Sequence, residues 1–141
     1  MEKSLLERIV EWNFERNLIK TPEDFDLYKD MSFITEELLE ASTSLKSEEA
    51  REKAEALVHI IKEPGYTPTP EQIVDAFCDI IVFATGSIRK LGYNPDIAMD
   101  EVIKEIDSRV GSMINGKFTK DKSPEAVANW YKADFTKAKI D

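Results

Sequence analysis

The sequence predicts an all-α protein built as a bundle of helices. Charged residues make up 33% of the 141 residues and only 5 residues are glycine, which favours helices over a turn-rich β fold. Apolar residues recur at three- and four-residue steps through most of the chain, as they do in amphipathic helices. The length suits a single domain over residues 1–141, in which residues 111–141 form a mobile basic loop and a C-terminal helix.

The first three helices are separated by capping and breaking residues. The apolar spacing predicts a first helix over residues 5–18. Pro22 and the acids that follow it predict a second helix over 23–46, with a short separate turn before Met31 as the alternative. A third helix is predicted over 47–61, because the three prolines and the glycine that follow cannot continue it.

Two further helices and a basic tail complete the predicted order. A fourth helix is predicted over residues 70–91 and a fifth over 94–110, each with a proline in its first turn. Residues 111–123 are expected to be a loop, since no segment alternates for long enough to predict a strand. A last short helix begins at Ser123 and is expected to carry the aromatic residues Trp130, Tyr131 and Phe135.

Charge and composition exclude several classes of partner. A net charge of −9 opposes binding to nucleic acid. Cys78 and His59 are the only cysteine and the only histidine, so the chain lacks the usual ligands of a zinc site. No run approaches the roughly 20 apolar residues that span a bilayer, and the first residues lack the apolar core of a signal peptide. We therefore expect a cytoplasmic protein that has no membrane partner.

Two acidic stripes carry the functional prediction. Asp75 and Asp79 are the only charged residues in the central part of the fourth helix and lie about 40° apart around it. So apolar a helix is expected to be buried, where carboxylates need nearby cations or shifted pKa values. Glu36, Glu37 and Glu40 form a matching stripe on the second helix. If the two helices pack antiparallel, the five carboxylates share one cleft that suits magnesium, or manganese, better than zinc.

Each stripe also has a plainer interpretation. The three glutamates alone fit the solvated face of an acidic protein. The two aspartates fit an exposed stripe on an otherwise apolar helix, although the neighbouring Cys78, Val82 and Phe83 favour burial. A di-iron carboxylate bundle would need Glu-x-x-His pairs, which this sequence lacks.

The Glu36-Glu37-x-x-Glu40 spacing, followed by a helix with an acid pair, resembles the all-α nucleoside triphosphate pyrophosphohydrolases. That group includes MazG, the dimeric dUTPases and phosphoribosyl-ATP pyrophosphohydrolase. Residues 75–86, 91–95 and 101–106 are similar to its phage-type members, and the resemblance extends over about residues 5–120. It implies a helical bundle of the MazG/dimeric dUTPase type with a core completed by oligomerisation, and a host cytoplasm if the chain is phage-encoded.

One part of the family's pattern is missing. The usual second motif is Glu-x-x-Asp, but Ala76 stands at the position of that glutamate. Either Asp75, one residue earlier, or Glu71 must take its place. The segment between the two motifs is also long, because the third helix is inserted or extended there. Metal binding is therefore better indicated than any one ligand set.

The resemblance also implies roles for individual residues. Magnesium would bind the triphosphate oxygens and activate a water that attacks phosphorus, giving a nucleoside monophosphate and pyrophosphate. Glu36, Glu37, Glu40 and Asp79 would be the main ligands, with Asp75 beside them, and Glu37 is also the expected general base.

Residues outside the acidic stripes are expected to bind the nucleotide. Arg109, Lys117 and Lys120 are the expected phosphate contacts, although solvated cations of a flexible loop fit the sequence equally well. Trp12 is expected to stack on the base and Asn13 to hydrogen-bond to it, because the family places the nucleoside near its first helix. A core position for Trp12 is the alternative.

The sequence leaves two other functions open. One is a non-catalytic acidic helical module that binds a protein partner through exposed apolar faces. The other keeps the hydrolase fold and changes the substrate, as in a dUTPase or a phosphoribosyl-ATP pyrophosphohydrolase. With so much apolar helix surface, the chain is expected to form a homodimer or homotetramer.

Overall fold

The computed structural model describes residues 2–115 and 117–140, and within them it is mostly helical, which confirms the all-α class. The α-helices are α1 (Leu5–Glu15), α2 (Leu27–Ser42), α3 (Ser47–Ile61), α4 (Pro70–Lys90), α5 (Pro95–Asp107) and α6 (Pro124–Ala128). Single 3₁₀ turns are present at Pro22–Asp24 and Phe135–Ala138, and the strands are β1 (Gly111–Ile114) and β2 (Lys117–Lys120).

The predicted starts of α3 and α4 are confirmed. For the second helix, the alternative of a separate turn before Met31 is confirmed in place of one helix that begins at Glu23. The turn at Pro22–Asp24 precedes α2, which begins at Leu27 because the Asp26 carboxylate accepts hydrogen bonds from two backbone N–H groups. At α4 the side chain of Thr69 accepts from the backbone N–H of Gln72, whose side chain accepts from the N–H of Thr69.

The contacts divide the chain into two compact units. Unit 2 comprises Lys20–Pro68 and is a hairpin of α2 and α3. Its core lies along a row of α3 residues spaced four apart, Ala50, Ala54 and Val58, all of which are buried. Two alanines in that row place little bulk at the contact, so α2 can approach α3 closely.

Unit 1 comprises the residues up to Ile19 and those from Thr69 onward, and α5 is at its centre. Ile103 of α5 is fully buried. Two polar contacts attach α1: the indole N–H of Trp12 donates to the carbonyl of Ile106 (3.2 Å), and Arg8 donates to Asp100 (2.7 Å). The expectation of a single domain over 1–141 stays a prediction.

The prediction of a strandless loop over 111–123 was wrong. Strands β1 and β2 pair antiparallel, with Gly111 opposite Lys120 and Ile114 opposite Lys117. Asn115 in the connection has a φ of +51°, a left-handed conformation that asparagine tolerates better than most residues. Gly111 is needed for the close approach, because a Cβ there would lie 2.1 Å from the carbonyl oxygen of Thr119.

The predicted C-terminal helix is shorter than expected. It ends at Ala128, before Trp130 and Tyr131, and Phe135 belongs to the following 3₁₀ turn. Backbone hydrogen bonds hold this last segment against the start of α5, where the N–H of Asn94 donates to the carbonyl of Ala138 (2.7 Å).

The prediction that α4 is buried was wrong for the single chain. None of its residues is buried, and the side chains of Val82 and Phe83 are 65% and 74% exposed. A helix that is apolar almost all round is buried only if other parts of the protein or another molecule pack against every side of it. In the single chain much of the surface of α4 has nothing packed against it. Among the described residues, no helix is both long enough and apolar enough to cross a membrane.

Candidate metal centre

Glu36, Glu37 and Glu40 of α2 form an acidic cluster in unit 2. One carboxylate oxygen from each residue lies within 4.8 Å of the others. Helix geometry explains the proximity, because Glu40 is three and four positions after Glu37 and Glu36 and therefore lies between them around the unbroken helix. Glu36 is buried, Glu40 is half-buried and Glu37 is exposed, so the acidic cluster extends from the α2–α3 hairpin out to the surface.

A single arginine of α3 binds the buried member of the acidic cluster. The Nη1 of Arg51 donates to the Oε1 of Glu36 at 2.9 Å, and its Nη2 donates to the hydroxyl of Ser32, one helical turn earlier on α2. Its Nε donates to the Oε1 of Glu55 on its own helix at 2.9 Å. The guanidinium also lies over the ring of Phe33, 4.8 Å from the ring centroid.

These contacts explain how Glu36 is tolerated with only 3% of its surface exposed. Burying an unpaired carboxylate carries a large desolvation penalty, so a buried glutamate needs a cation and hydrogen-bond donors. Arg51 supplies both, and its own side chain is only 19% exposed. Glu37 and Glu40 add further negative charge next to this pair.

The donor set of the acidic cluster fits a hard divalent cation. Carboxylate oxygens are the ligands preferred by Mg²⁺ and Mn²⁺, whereas zinc sites usually include sulfur or imidazole nitrogen. Three oxygens within 4.8 Å of one another are close enough to bind one cation together. Because Glu37 is exposed, its carboxylate can also contact a water or a substrate that approaches from solvent.

Asp75 and Asp79 lie one turn apart on α4, as predicted, and both are exposed. They belong to unit 1, whereas the acidic cluster belongs to unit 2. Glu71, the alternative to Asp75, is in the first turn of α4 and is also exposed. A shared cleft for the two acidic stripes stays a prediction.

The polar groups predicted to contact the base have partners within unit 1. The indole N–H of Trp12 donates to the Ile106 carbonyl, and its ring lies beneath the guanidinium of Arg16 at 4.4 Å. The rings of Phe118 and Trp12 are nearly perpendicular, with their centroids 5.6 Å apart. The amide of Asn13 donates to the carbonyl of Ile9 at 2.8 Å. Binding of a base here stays a prediction.

The three predicted phosphate contacts are in unit 1, where they lie near or on the β-hairpin of β1 and β2. Arg109 precedes β1, forms an ion pair with Glu105 (3.2 Å) and lies over the ring of Trp130 at 5.1 Å. Lys120 is opposite Gly111, close to Arg109 in the chain, whereas Lys117 is at the other end of β2, about 10 Å along the strand. Their role in phosphate binding stays a prediction.

Sequence reasoning missed Arg51 and Ser32. A usable signal was present, because Ser32 and Glu36 are four residues apart and so are Arg51 and Glu55. Pairing α2 with α3 as a hairpin would have brought these two pairs together. Comparison of the chain with protein families, with curated proteins and with solved structures gives no match.

Proposed function

We propose that this chain is a magnesium-dependent nucleoside triphosphate pyrophosphohydrolase whose metal is held by the acidic cluster. The supporting observation is the convergence of three carboxylate oxygens within 4.8 Å on one side of α2. The reaction itself comes from the sequence resemblance to the MazG-like group. Products would be the nucleoside monophosphate and pyrophosphate.

The burial of Glu36 favours this proposal over a merely solvated acidic face. Acidic residues on such a face are exposed and can point away from one another, which keeps their repulsion small. Here one carboxylate is enclosed by the hairpin and two others lie beside it. A divalent cation would offset the repulsion that this arrangement leaves.

The residues would divide the work according to their positions. Bound magnesium would neutralise the triphosphate and lower the pKa of the attacking water. Glu36, fixed by Arg51, and the half-buried Glu40 would act as ligands. The exposed Glu37 can both bind metal and accept a proton from water, which suits it to the role of general base. From the sequence, Asp75 and Asp79 are the further ligands expected.

Release of pyrophosphate from each common nucleoside triphosphate, dUTP and phosphoribosyl-ATP tests the proposal. We expect release with magnesium, none with a chelator, and a loss of at least about a hundredfold in Glu40→Gln, as expected when a metal ligand is removed. Glu63→Gln is the matched control, since Glu63 is exposed in the same unit and follows α3. A wild-type protein that binds no divalent cation and releases no pyrophosphate would contradict the proposal.

The exposed apolar surface of α4 supports the second part of the proposal, assembly into a homodimer or homotetramer. Val74, Val82 and Phe83 are each more than half exposed, and a helix that exposes this much apolar surface usually has it covered in an interface. The same surface is the observation that favours the alternative, a non-catalytic module that binds another protein. Light scattering of the purified chain separates the two, because only self-assembly raises the mass without an added partner.

A further inference from the structure

We infer that Arg51 is a positioning residue, which fixes Glu36 in the orientation that binds metal. The inference rests on the proposed function, because it concerns the same acidic cluster. Arg51 is on α3 and Glu36 on α2, so the contact is made by the fold of the hairpin. Neither residue type nor spacing in the sequence alone assigns this role.

All three nitrogens of the guanidinium have a partner. Nη1 is bound to Glu36, Nη2 to Ser32 and Nε to Glu55, while the plane of the group lies over Phe33. A planar group held at three corners and on one face has little freedom to rotate. Glu36, which accepts from it, is therefore held in one rotamer next to Glu37.

The charge of Arg51 acts in two opposing directions on a bound cation. A guanidinium near the site repels a divalent ion, which would weaken binding. It also holds the buried Glu36 in place through the hydrogen bond to its Oε1, and without that donor the enclosed carboxylate would be free to turn away from the acidic cluster. We expect the second effect to dominate, because Glu36 is almost fully enclosed while Glu37 and Glu40 can already meet the cation's charge from the solvent side.

Lysine could not replace arginine in this role. Its single ammonium group can keep the charge next to Glu36 but cannot reach Ser32 and Glu55 at the same time with a rigid fork. An Arg51→Lys protein should therefore keep a positive charge beside Glu36 but orient this carboxylate less well. This separates orientation from charge in one conservative variant.

The test is the affinity for Mn²⁺ alone, measured by titration at a temperature well below unfolding. Arg51→Met should weaken binding by about tenfold or more, the usual effect of losing a residue that orients a metal ligand. Arg51→Lys should recover only part of that loss. Glu63→Gln is again the matched control, since Glu63 is an exposed carboxylate of the same unit outside the acidic cluster and outside the contacts of Arg51, and it should change the affinity by less than about twofold.

A double-mutant cycle with Glu36→Gln distinguishes positioning from a general structural role. If Arg51 acts through Glu36, then Arg51→Met should change Mn²⁺ affinity by less than about twofold once Glu36 is already glutamine. If Arg51 merely stabilised the α2–α3 hairpin, Arg51→Met would lower the melting temperature in chelator without changing the Mn²⁺ affinity. If Arg51→Met does not fold, the Arg51→Lys titration decides, and an affinity equal to that of the wild type overturns the inference.

The remaining outcomes separate this inference from the proposed function. A wild-type protein that binds no Mn²⁺ overturns both. If the wild type binds Mn²⁺ and Arg51→Met binds it equally or more tightly, the positioning role is wrong but the metal site is still supported. If Arg51→Met weakens Mn²⁺ binding in the wild-type background but has no effect in the Glu36→Gln background, the result supports both the metal site and the positioning role.

Discussion

Replacing Glu40 with glutamine should stabilise the protein in the absence of metal and abolish its stabilisation by magnesium. The substitution keeps the shape of the side chain and removes one of three negative charges whose oxygens lie within 4.8 Å of one another. Residues arranged for ligand binding are often suboptimal for stability, so the two effects should have opposite signs.

The size of the stabilisation follows from the distances. Two unit charges 4.8 Å apart repel by about 0.9 kcal/mol at the dielectric constant of water, and Glu40 has two such neighbours. Arg51 offsets part of the charge of Glu36, and like-charge pairs one turn apart in exposed helices repel by only a few tenths. We expect a net gain of about 0.5–1.5 kcal/mol, or about 2–5 °C in melting temperature for a chain of this length.

Thermal unfolding followed by circular dichroism, in chelator and in magnesium, is the assay. Wild type should melt higher in magnesium, as expected when a ligand binds only the folded state, and Glu40→Gln should melt at the same temperature in both buffers. Glu63→Gln makes the same change in net charge outside the acidic cluster and should change neither value appreciably. The reasoning fails if Glu40→Gln is no more stable than wild type in chelator, or if it keeps the magnesium-dependent rise.

Three further predictions concern unit 1. Ile103→Ala removes three carbons from a fully buried side chain and should lower the free energy of unfolding by about 2–5 kcal/mol in urea denaturation. Hydrogen bonds from the hydroxyl of Tyr131 and, with a smaller effect, from the backbone N–H of Asp134 lower the pKa of Glu101 from its ordinary value. The ionised carboxylate therefore stabilises the fold at neutral pH, and this stabilisation is lost as the pH falls through the lowered pKa. Tyr131→Phe should therefore reduce the melting temperature more at pH 7 than near pH 3, and an equal reduction at both would show that the hydrogen bond does not act on the ionised form. Phe83→Asp places a charge on the exposed surface of α4 and should reduce the mass found by light scattering to that of one chain, whereas an unchanged oligomer would remove α4 from the interface.

Helix starts were predictable because the residues that define them are local. Thr69 caps the first turn of α4 through hydrogen bonds with Gln72, and Pro70 restricts the backbone there. Helix α3 begins at Ser47, where expected, although no side chain caps it. The β-hairpin was equally local and was nevertheless missed. Asn115-Gly116 between two short runs is a strong two-residue turn signal, and strands of four residues are too short for an alternation test to detect.

The burial of α4 could not be predicted because it depends on what covers the helix. Its composition describes an apolar surface without saying whether the same chain or another molecule lies against it, and Phe83 is exposed in the single chain. The acidic cluster was predictable for a local reason, since Glu36, Glu37 and Glu40 share one helix side by spacing alone. Arg51 was not predicted, because Ser32 and Glu36, two of the three residues that accept its hydrogen bonds, are on α2, which only the tertiary fold brings near.

A crystal structure of the protein soaked in Mn²⁺ would test the proposed metal site directly, because anomalous diffraction data locate manganese independently of the protein atoms. We expect an anomalous peak within about 2.0–2.5 Å of carboxylate oxygens from Glu36, Glu37 and Glu40, the usual range for hard divalent cations. A peak only at unrelated surface acids, or no peak at Mn²⁺ concentrations that restore activity, would contradict it.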